Sequence, residues 1–197
     1  TALIWLNVSG LYASAGKGLE IAFFEVSNVI TTTGFGITDL TVWPLFSQVI
    51  LLILMFIGGS AGSTAGGFKV MRALILTKIS KNQVLSSLYP NRVMTIHVNQ
   101  QPLDKETQHS VLKYLSLYVT CLLVLTLFLS LDNSDFMVVA SAAASTFNNI
   151  GPLLGTDQTL NIFSPFSKLL MSFAMIAGRL EIFPILLLFI PKTWSKY

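Results

Sequence analysis

Two short glycine-containing segments carry main-chain groups suited to binding a dehydrated cation. The first is Thr31–Gly36, Thr-Thr-Thr-Gly-Phe-Gly, and the second is Asn148–Pro152, Asn-Asn-Ile-Gly-Pro. Glycine tolerates left-handed backbone dihedrals, which let successive carbonyl groups turn toward one side of a loop. Rings of such carbonyls replace the hydration shell of K⁺ in selectivity filters. The pattern predicts a cation filter to which both segments contribute.

Four residues of each segment are predicted to turn their carbonyl groups toward the ion. Aligned on the glycine of each segment, they are Thr32, Thr33, Gly34, Phe35, Asn149, Ile150, Gly151 and Pro152. An ordinary turn after a helix is the alternative for either segment. That alternative does not explain three consecutive threonines between apolar stretches, or the second copy in the same context. We expect K⁺ to be bound by filter carbonyls alone, with no cofactor on this chain.

A third glycine-rich segment separates the apolar stretch Trp43–Ile57 from Phe68–Ser80, where a helical pattern resumes. Irregular backbone at membrane depth is tolerated only where it is buried in protein or lines a cavity. We interpret the segment as a gate that moves beneath the filter within one broken membrane helix. Close helix packing through Gly-xxx-Gly spacings and a plain flexible loop are the alternatives. The predicted gate residues are Gly58, Gly59, Gly62, Gly66 and Gly67.

Arg179 lies in the last apolar stretch and is the remaining predicted gate residue. A charge inside the membrane is costly and marks a functional site by default. Glu181 is two residues further on, which places it on another side of a helix. We therefore expect Arg179 to donate to exposed carbonyls of the glycine-rich segment. Its alternative is to lie near the inner interface and extend its charged end toward water.

Composition and segment length predict an all-α polytopic membrane protein. Hydrophobic residues make up 53% and charged residues 11% of the chain, whereas soluble proteins carry about 25% charged residues. Thr107–Leu131 and Ser164–Pro191 are long enough to span a bilayer, which takes about 20 residues. Lys17–Thr32 and Asp135–Phe147 are shorter and are predicted to be half-membrane pore helices with C-terminal ends facing the filter. The order helix, pore loop and helix thus occurs twice in tandem.

The distribution of charge predicts the orientation of the chain. Positive residues concentrate in the central region and at the C-terminus: Lys69, Arg72, Lys78, Lys81, Arg92, Lys105, Lys113, Lys192 and Lys196. By the positive-inside rule, the central connection and the C-terminus are cytoplasmic. Acidic residues flank the filter segments: Glu20, Glu25, Asp39, Asp132, Asp135 and Asp157. They would raise the local cation concentration, unless they are ordinary solvated loop charges.

Several function classes are excluded. No Ser/His/Asp set, carboxylate pair or Cys/His cluster points to an enzyme, and nothing indicates nucleic-acid binding. Cys121 is alone, so no disulfide framework is expected. Because the chain begins at Thr1 in apolar sequence without an initiator Met, we expect a fragment or a truncated product.

Together, five motifs in matching order resemble the TrkH/TrkG/KtrB family of bacterial potassium-uptake proteins, with TrkH and TrkG the most similar members. They are Thr31–Gly36, Ile57–Gly67, Leu88-Tyr-Pro90, Asn148–Pro152 and Gly178-Arg-Leu-Glu-Ile-Phe183. The resemblance implies a pseudo-fourfold, K⁺-channel-like pore built from four repeats. Residues 1–80 would be the third repeat with its first helix truncated, 81–106 a cytoplasmic connection, and 107–197 the fourth repeat.

The same resemblance implies partners and leaves two alternatives open. It implies a homodimer in the bacterial plasma (inner) membrane, in contact with lipid, and a TrkA-like cytoplasmic regulatory subunit that binds NAD or ATP. Leu153 and Leu154 follow Gly-Pro where relatives often carry another glycine. Because two repeats are missing, the chain is expected to be half of a K⁺ translocation subunit. A non-conducting fragment, or a half-size subunit that dimerises to complete the filter, are the alternatives.

Overall fold

The computed structural model describes residues 1–60, 62–63, 65–89, 96–98, 101–132, 135–156, 160–180, 182 and 184. In this part the chain is helical apart from a two-residue antiparallel pair, β1 (His97–Val98) and β2 (Gln101–Pro102). The helices are α1 (Ala2–Val8), α2 (Ala15–Thr31), α3 (Leu45–Ile57), α4 (Val70–Leu88), α5 (Lys105–Leu129), α6 (Phe136–Phe147) and α7 (Pro165–Arg179). The prediction of a helical chain is confirmed.

The first unit consists of α1 to α3, and α4 leaves it to pack against α5. Helix α2 begins after Ser14, whose side chain accepts the Lys17 N–H group as an N-cap. Helices α1, α2 and α3 pack around fully buried apolar side chains, among them Ile4, Val29 and Leu51. This core holds the C-terminal end of α2, from which the first glycine segment, Thr31–Gly36, leaves.

The second unit consists of α5, α6 and α7. Asp135 caps α6 by accepting the Met137 N–H group, and Ser164 caps α7, which has Pro165 in its first turn. Helix α6 is buried along its whole length from Val138 to Phe147, because α5 and α7 enclose it. The second glycine segment, Asn148–Pro152, follows directly from this enclosed helix.

Helix α5 is the membrane-spanning candidate. Its 25 residues make it the one helix among the described residues that is long and apolar enough to cross a membrane unaided. At 1.5 Å per residue it measures about 38 Å, against a hydrocarbon core of about 30 Å. Helices α3 and α6 are apolar but shorter.

Two helices end at positions that differ from the predicted ones. Helix α4 continues to Leu88, eight residues past the predicted Ser80, and so takes up the start of the predicted central connection. It ends there because Tyr89 precedes Pro90, and a residue before proline disfavours helical dihedrals. The last predicted helix, Ser164–Pro191, is seen as α7 to Arg179. Residues 181, 183 and 185–197 lie outside the described residues.

Candidate cation filter and glycine-rich loop

The two glycine segments lie in contact with each other. A Cβ atom added to Gly34 would lie 2.7 Å from the Ile150 carbonyl oxygen, and one added to Gly151 would lie 3.3 Å from the Gly34 Cα atom. Helices α2 and α6 both end at this contact. The C-terminal end of a helix carries partial negative charge, which favours a nearby cation. The structure thus brings both predicted segments to one place.

Both segments follow the same backbone path. The φ angle is positive at Thr32 (55°) and Gly34 (85°) in the first segment, and at Asn149 (55°) and Gly151 (115°) in the second. Left-handed dihedrals at alternate residues turn neighbouring carbonyl groups toward a common side. For Thr32 and Asn149 this conformation costs roughly 1–2 kcal/mol, so the surrounding structure must hold it.

The same backbone hydrogen bonds close the helix end in each unit. They join Thr32 N to Val29 O (3.3 Å) and Thr33 N to Asn28 O (3.1 Å), then Asn149 N to Thr146 O (3.2 Å) and Ile150 N to Ser145 O (2.9 Å). Aligned on Gly34 and Gly151, these bonds occupy equivalent positions. The two segments are therefore structural copies despite their different sequences.

Two side chains of α2 hold the first glycine segment. Asn28 Oδ1 accepts the Phe35 N–H group and Glu25 Oε1 accepts the Ile37 N–H group, each at 2.9 Å. Asn28 Nδ2 also donates to Glu25 Oε2 at 3.4 Å. Glu25 is fully buried and Asn28 is 4% exposed. Glu25 is therefore not a solvated loop charge, the alternative considered for it, because its buried carboxyl group accepts the Ile37 N–H group and an Asn28 amide hydrogen.

Two serines of α6 do the same for the second glycine segment. Ser145 Oγ accepts the Gly151 N–H group at 2.9 Å, and Ser141 Oγ accepts the Leu154 N–H group at 3.0 Å. Asn28 and Ser145 each lie six residues before the glycine of their segment. Asn28 and Ser145 were not predicted from the sequence. Their shared spacing to the glycine is the local signal that points to them.

The glycine-rich loop, Gly58–Gly67, is closed at its base by main-chain hydrogen bonds. They join Phe68 N to Phe56 O (3.0 Å), Lys69 N to Ile57 O (2.8 Å) and Val70 N to Gly59 O (3.0 Å). The φ angles of Gly58 (67°), Gly62 (85°) and Gly67 (93°) are positive. Residues 61 and 64 of the loop lie outside the described residues. The two ends of the loop, where α3 ends and α4 begins, therefore lie side by side.

Glycine also lets the loop and α7 approach the second glycine segment closely. A Cβ atom on Gly66 would overlap the Asn148 carbonyl group, and one on Gly178 would overlap the Phe147 carbonyl oxygen. Gly59 is crowded by Ala65 and by Ser63 Oγ, both 2.8 Å from an added Cβ atom. These contacts put the loop directly against the C-terminal end of α6.

Arg179 lies beside the glycine-rich loop. With Ser63, Gly66 and Lys69 it lines a cavity of about 170 Å³, whose wall also includes Tyr114. The Arg72 guanidinium carbon lies 3.9 Å from the centroid of the Tyr114 ring, a cation–π contact. Basic groups of α4 and α7 therefore lie around this cavity. The expected hydrogen bonds from Arg179 to loop carbonyls stay a prediction.

A larger cavity of about 770 Å³ opens beyond the other ends of the two glycine segments. It is lined by Gly36, Thr38 and Asp39 from the first unit and by Gly151 and Pro152 from the second. Hydrogen bonds from the Thr41 side chain and N–H group lower the pKa of Asp39. A carboxylate thus borders this cavity at neutral pH. Among the described residues, no group of three or more His, Cys, Asp or Glu side chains could hold a metal ion.

An apolar helical chain in which two glycine segments come together is consistent with a membrane protein of the transport class. The chain belongs to the TrkH family of cation transport proteins, whose family model matches residues 11–196. The resemblance drawn from the sequence motifs is therefore confirmed at the level of the family.

Individual relatives agree. The chain is 36% identical over 198 residues to the Trk system potassium uptake protein TrkH of Escherichia coli (strain K12), covering 100% of this chain and 40% of that protein. Its identity to TrkG of the same strain is 33% over 188 residues, covering 95% and 39%. The crystal structure of the potassium transporter TrkH from Vibrio parahaemolyticus matches with a TM-score of 0.89 at 34% identity, over 98% of this chain and 42% of that one. The chain thus spans about 40% of the length of such relatives.

Proposed function

We propose that this chain contributes two of four carbonyl-lined segments to a K⁺ uptake pathway across a bacterial inner membrane. The observation that carries the proposal is the contact between two glycine segments with the same alternation of positive φ angles. Membership of the TrkH family supports K⁺ as the cation, since curated relatives are potassium uptake proteins. The chain acts as a transporter component and performs no chemistry on its substrate.

The proposed passage of K⁺ depends on dehydration at the glycine segments. The ion enters from the large cavity beside Asp39, whose negative charge raises the local cation concentration. The carbonyl groups of Thr32 to Phe35 and Asn149 to Pro152 then replace its water ligands. The C-terminal ends of α2 and α6 add negative potential where the dehydrated ion sits. Side chains need not bind the ion at any step.

We assign the gate to the glycine-rich loop with Arg179. The loop lies against the C-terminal end of α6, and Arg179 shares a cavity with it. Movement of the loop would open a path from the filter. The positive charge of Arg179 opposes cation passage while the loop is closed, because a nearby cation is repelled in a low-dielectric region.

The remaining organisation is proposed on the family relationship. Residues 1–80 form the third repeat, 81–106 the cytoplasmic connection and 107–197 the fourth repeat, with a cytoplasmic C-terminus. The complete subunit forms a homodimer and binds a TrkA-like subunit that carries NAD or ATP. A self-assembled half-size pore and a non-conducting fragment are the competing arrangements, and co-expression with the first two repeats separates them from the proposal.

The test is rubidium uptake into vesicles that hold the full polypeptide containing this chain. Gly34→Ala should abolish most uptake and reduce discrimination against Na⁺, because the new Cβ atom meets the Ile150 carbonyl at 2.7 Å. Gly16→Ala is the matched control, since nothing lies within 4 Å of a Cβ atom there. Normal uptake and selectivity in Gly34→Ala would contradict the filter assignment.

A further inference from the structure

Two consecutive asparagines at the start of the second glycine segment bind two different helices. Asn148 Nδ2 donates to the Met55 carbonyl oxygen of α3 at 2.9 Å. Asn149 Nδ2 donates to the Met175 carbonyl oxygen of α7 at 3.0 Å. Each methionine lies three residues before a glycine, Gly58 or Gly178 in turn. One end of the segment is therefore fastened to both helices at equivalent points.

The bond to Met55 completes the C-terminal end of α3. The last four carbonyl groups of a helix lack intrahelical donors and need other partners. In α3 the acceptors and their donors are Leu54 O with Gly58 N, Met55 O with Asn148 Nδ2, Phe56 O with Phe68 N, and Ile57 O with Lys69 N. Asn148 thus supplies one of the four bonds that complete the C-terminal end of α3, where the glycine-rich loop begins.

The other end of the Asn148 side chain is held by α5. The Tyr118 hydroxyl donates to Asn148 Oδ1 at 2.9 Å. The Tyr118 ring also packs against Phe68 at the end of the loop and Phe147 at the end of α6, with centroid distances of 5.9 and 5.3 Å. Asn148 itself is fully buried. Its carboxamide is therefore fixed in a single orientation by one donor and one acceptor.

The equivalent residue of the first unit is Thr31, which aligns with Asn148. Within the part of the chain that the structure describes, its hydroxyl bonds to the Ser27 carbonyl oxygen and to Thr33 Oγ1, each at 2.6 Å, and not to another helix. Among the described residues, the side-chain connection from a glycine segment to the loop base is therefore made in the second unit.

We propose that Asn148 is a positioning residue that couples the second glycine segment to the base of the glycine-rich loop. The inference rests on the proposed function, because it links the segment assigned as filter to the loop assigned as gate. When the loop moves, the Met55 carbonyl moves with its base, and the hydrogen bond transmits the displacement to the residue that begins the filter. The Tyr118 hydroxyl keeps the Asn148 carboxamide oriented toward the Met55 carbonyl group during that movement.

The test measures the loop and the filter separately in the full polypeptide. Ala65, a loop residue that is only 8% exposed, is replaced by Cys in a background whose other cysteines are removed, and its modification rate by a maleimide is measured. Asn148→Asp keeps an acceptor for Tyr118 and loses the donor to Met55. We expect it to raise the modification rate about tenfold, as loss of one buried hydrogen bond would, and to change the K⁺/Na⁺ uptake ratio.

A second variant covers the case in which Asn148→Asp does not fold. Tyr118→Phe removes the other hydrogen bond and should shift both measurements in the same direction by a smaller factor. Thr120→Val is the matched control, because it removes a hydroxyl from the exposed face of the same helix, where Thr120 bonds to the Ser116 carbonyl oxygen. A modification rate that stays unchanged in both test variants would overturn the coupling.

Failure of the proposed function would look different. Cysteine modification does not depend on ion passage, so the loop measurement stands on its own. If Gly34→Ala transports normally while Asn148→Asp still exposes the loop, the filter assignment fails and the link between Asn148 and the loop base holds. If Gly34→Ala loses uptake while Asn148→Asp leaves the loop protected, the filter assignment holds and the coupling fails.

Discussion

The two glycine segments share a backbone path but are held by different chemistry. In the first unit a carboxyl and a carboxamide, from Glu25 and Asn28, accept N–H groups of the segment. In the second unit the hydroxyls of Ser141 and Ser145 do so. In each unit the outer bond reaches the residue three positions past the glycine, Ile37 or Leu154. The feature that the two units share is thus a side-chain acceptor for the chain that follows the helix, and different residue types supply it.

The acceptors differ in length between the two helices. Helix α6 carries three consecutive fully buried alanines, Ala142 to Ala144, which let its neighbours approach closely, and its short serine hydroxyls accept N–H groups of the chain that follows it. Helix α2 uses the longer side chains of Glu25 and Asn28 for the same purpose. The first unit therefore depends on two larger polar groups in a buried place, where the loss of either leaves donors unpaired.

The largest effects should come from the glycines themselves, and they should be unequal. Alanine at either position adopts a left-handed conformation that costs roughly 1–2 kcal/mol. At Gly34 the added Cβ atom also meets the Ile150 carbonyl oxygen at 2.7 Å, whereas at Gly151 the nearest atom, Gly34 Cα, is 3.3 Å away. We expect Gly34→Ala to lose more rubidium uptake and more K⁺/Na⁺ discrimination than Gly151→Ala. Equal losses would show that the two segments respond as one rigid body.

A smaller difference should separate the residues that hold the segments. Glu25→Ala leaves the Ile37 N–H group and an Asn28 amide hydrogen without an acceptor, and a buried group in that state costs about 1–3 kcal/mol. Ser141→Ala leaves the Leu154 N–H group without its acceptor and takes one donor from the Leu154 carbonyl oxygen, but it removes a much smaller buried side chain. The thermal unfolding temperature of the purified protein should therefore fall further for Glu25→Ala than for Ser141→Ala.

Glu25→Gln is the control for this comparison. It keeps an acceptor for Ile37 and loses the one for Asn28 Nδ2, so its unfolding temperature should lie between those of the parent and Glu25→Ala. If Glu25→Gln destabilises as much as Glu25→Ala, the charge of the carboxyl group matters more than its hydrogen bonds, and the parallel with Ser141 is lost.

Sequence reasoning located the parts of this site that depend on local signals. The glycines of both segments and of the loop stand out because few other residues tolerate their dihedrals, and the structure finds positive φ at Gly34, Gly58 and Gly151. The broken helix between Ile57 and Val70 follows from the same signal. The family could be recognised because five such motifs occur in one order.

What escaped prediction depends on distant contacts. Glu25 resembles an ordinary surface carboxylate, since acidic residues are rarely fully buried, and only its bond to Ile37 explains its place. Asn148 bonds to Met55, which is 93 positions away in the chain. No local sequence pattern predicts a contact between these two residues. Helix α4 was cut short at Ser80 because the polar stretch that follows has the composition of a loop, although it contains no helix-breaking residue before Leu88.

The smallest predicted effect concerns two exposed aspartates at the edges of the units. Hydrogen bonds from the Ser167 and Ser164 side chains and the Ser164 N–H group lower the pKa of Asp132 below its ordinary 3.8. The bond to Ser164 N, at 2.9 Å, joins the end of α5 to the start of α7, 32 positions away. Asp39 instead bonds to Thr41, two positions away. Asp132→Asn should therefore lower the unfolding temperature more than Asp39→Asn at neutral pH.

The pH dependence of that difference follows from the sign of the shift. A carboxyl group with a lowered pKa in the folded state adds stability that is present above its unfolded pKa and is lost as pH falls through the folded value. The difference in unfolding temperature between the parent and Asp132→Asn should be constant from pH 7 to about pH 5. It should then disappear as the pH falls below 3.8. Unfolding scans in a pH series measure it. A gap that persists unchanged through the acid range would mean that Asp132 contributes through packing and not through its charge.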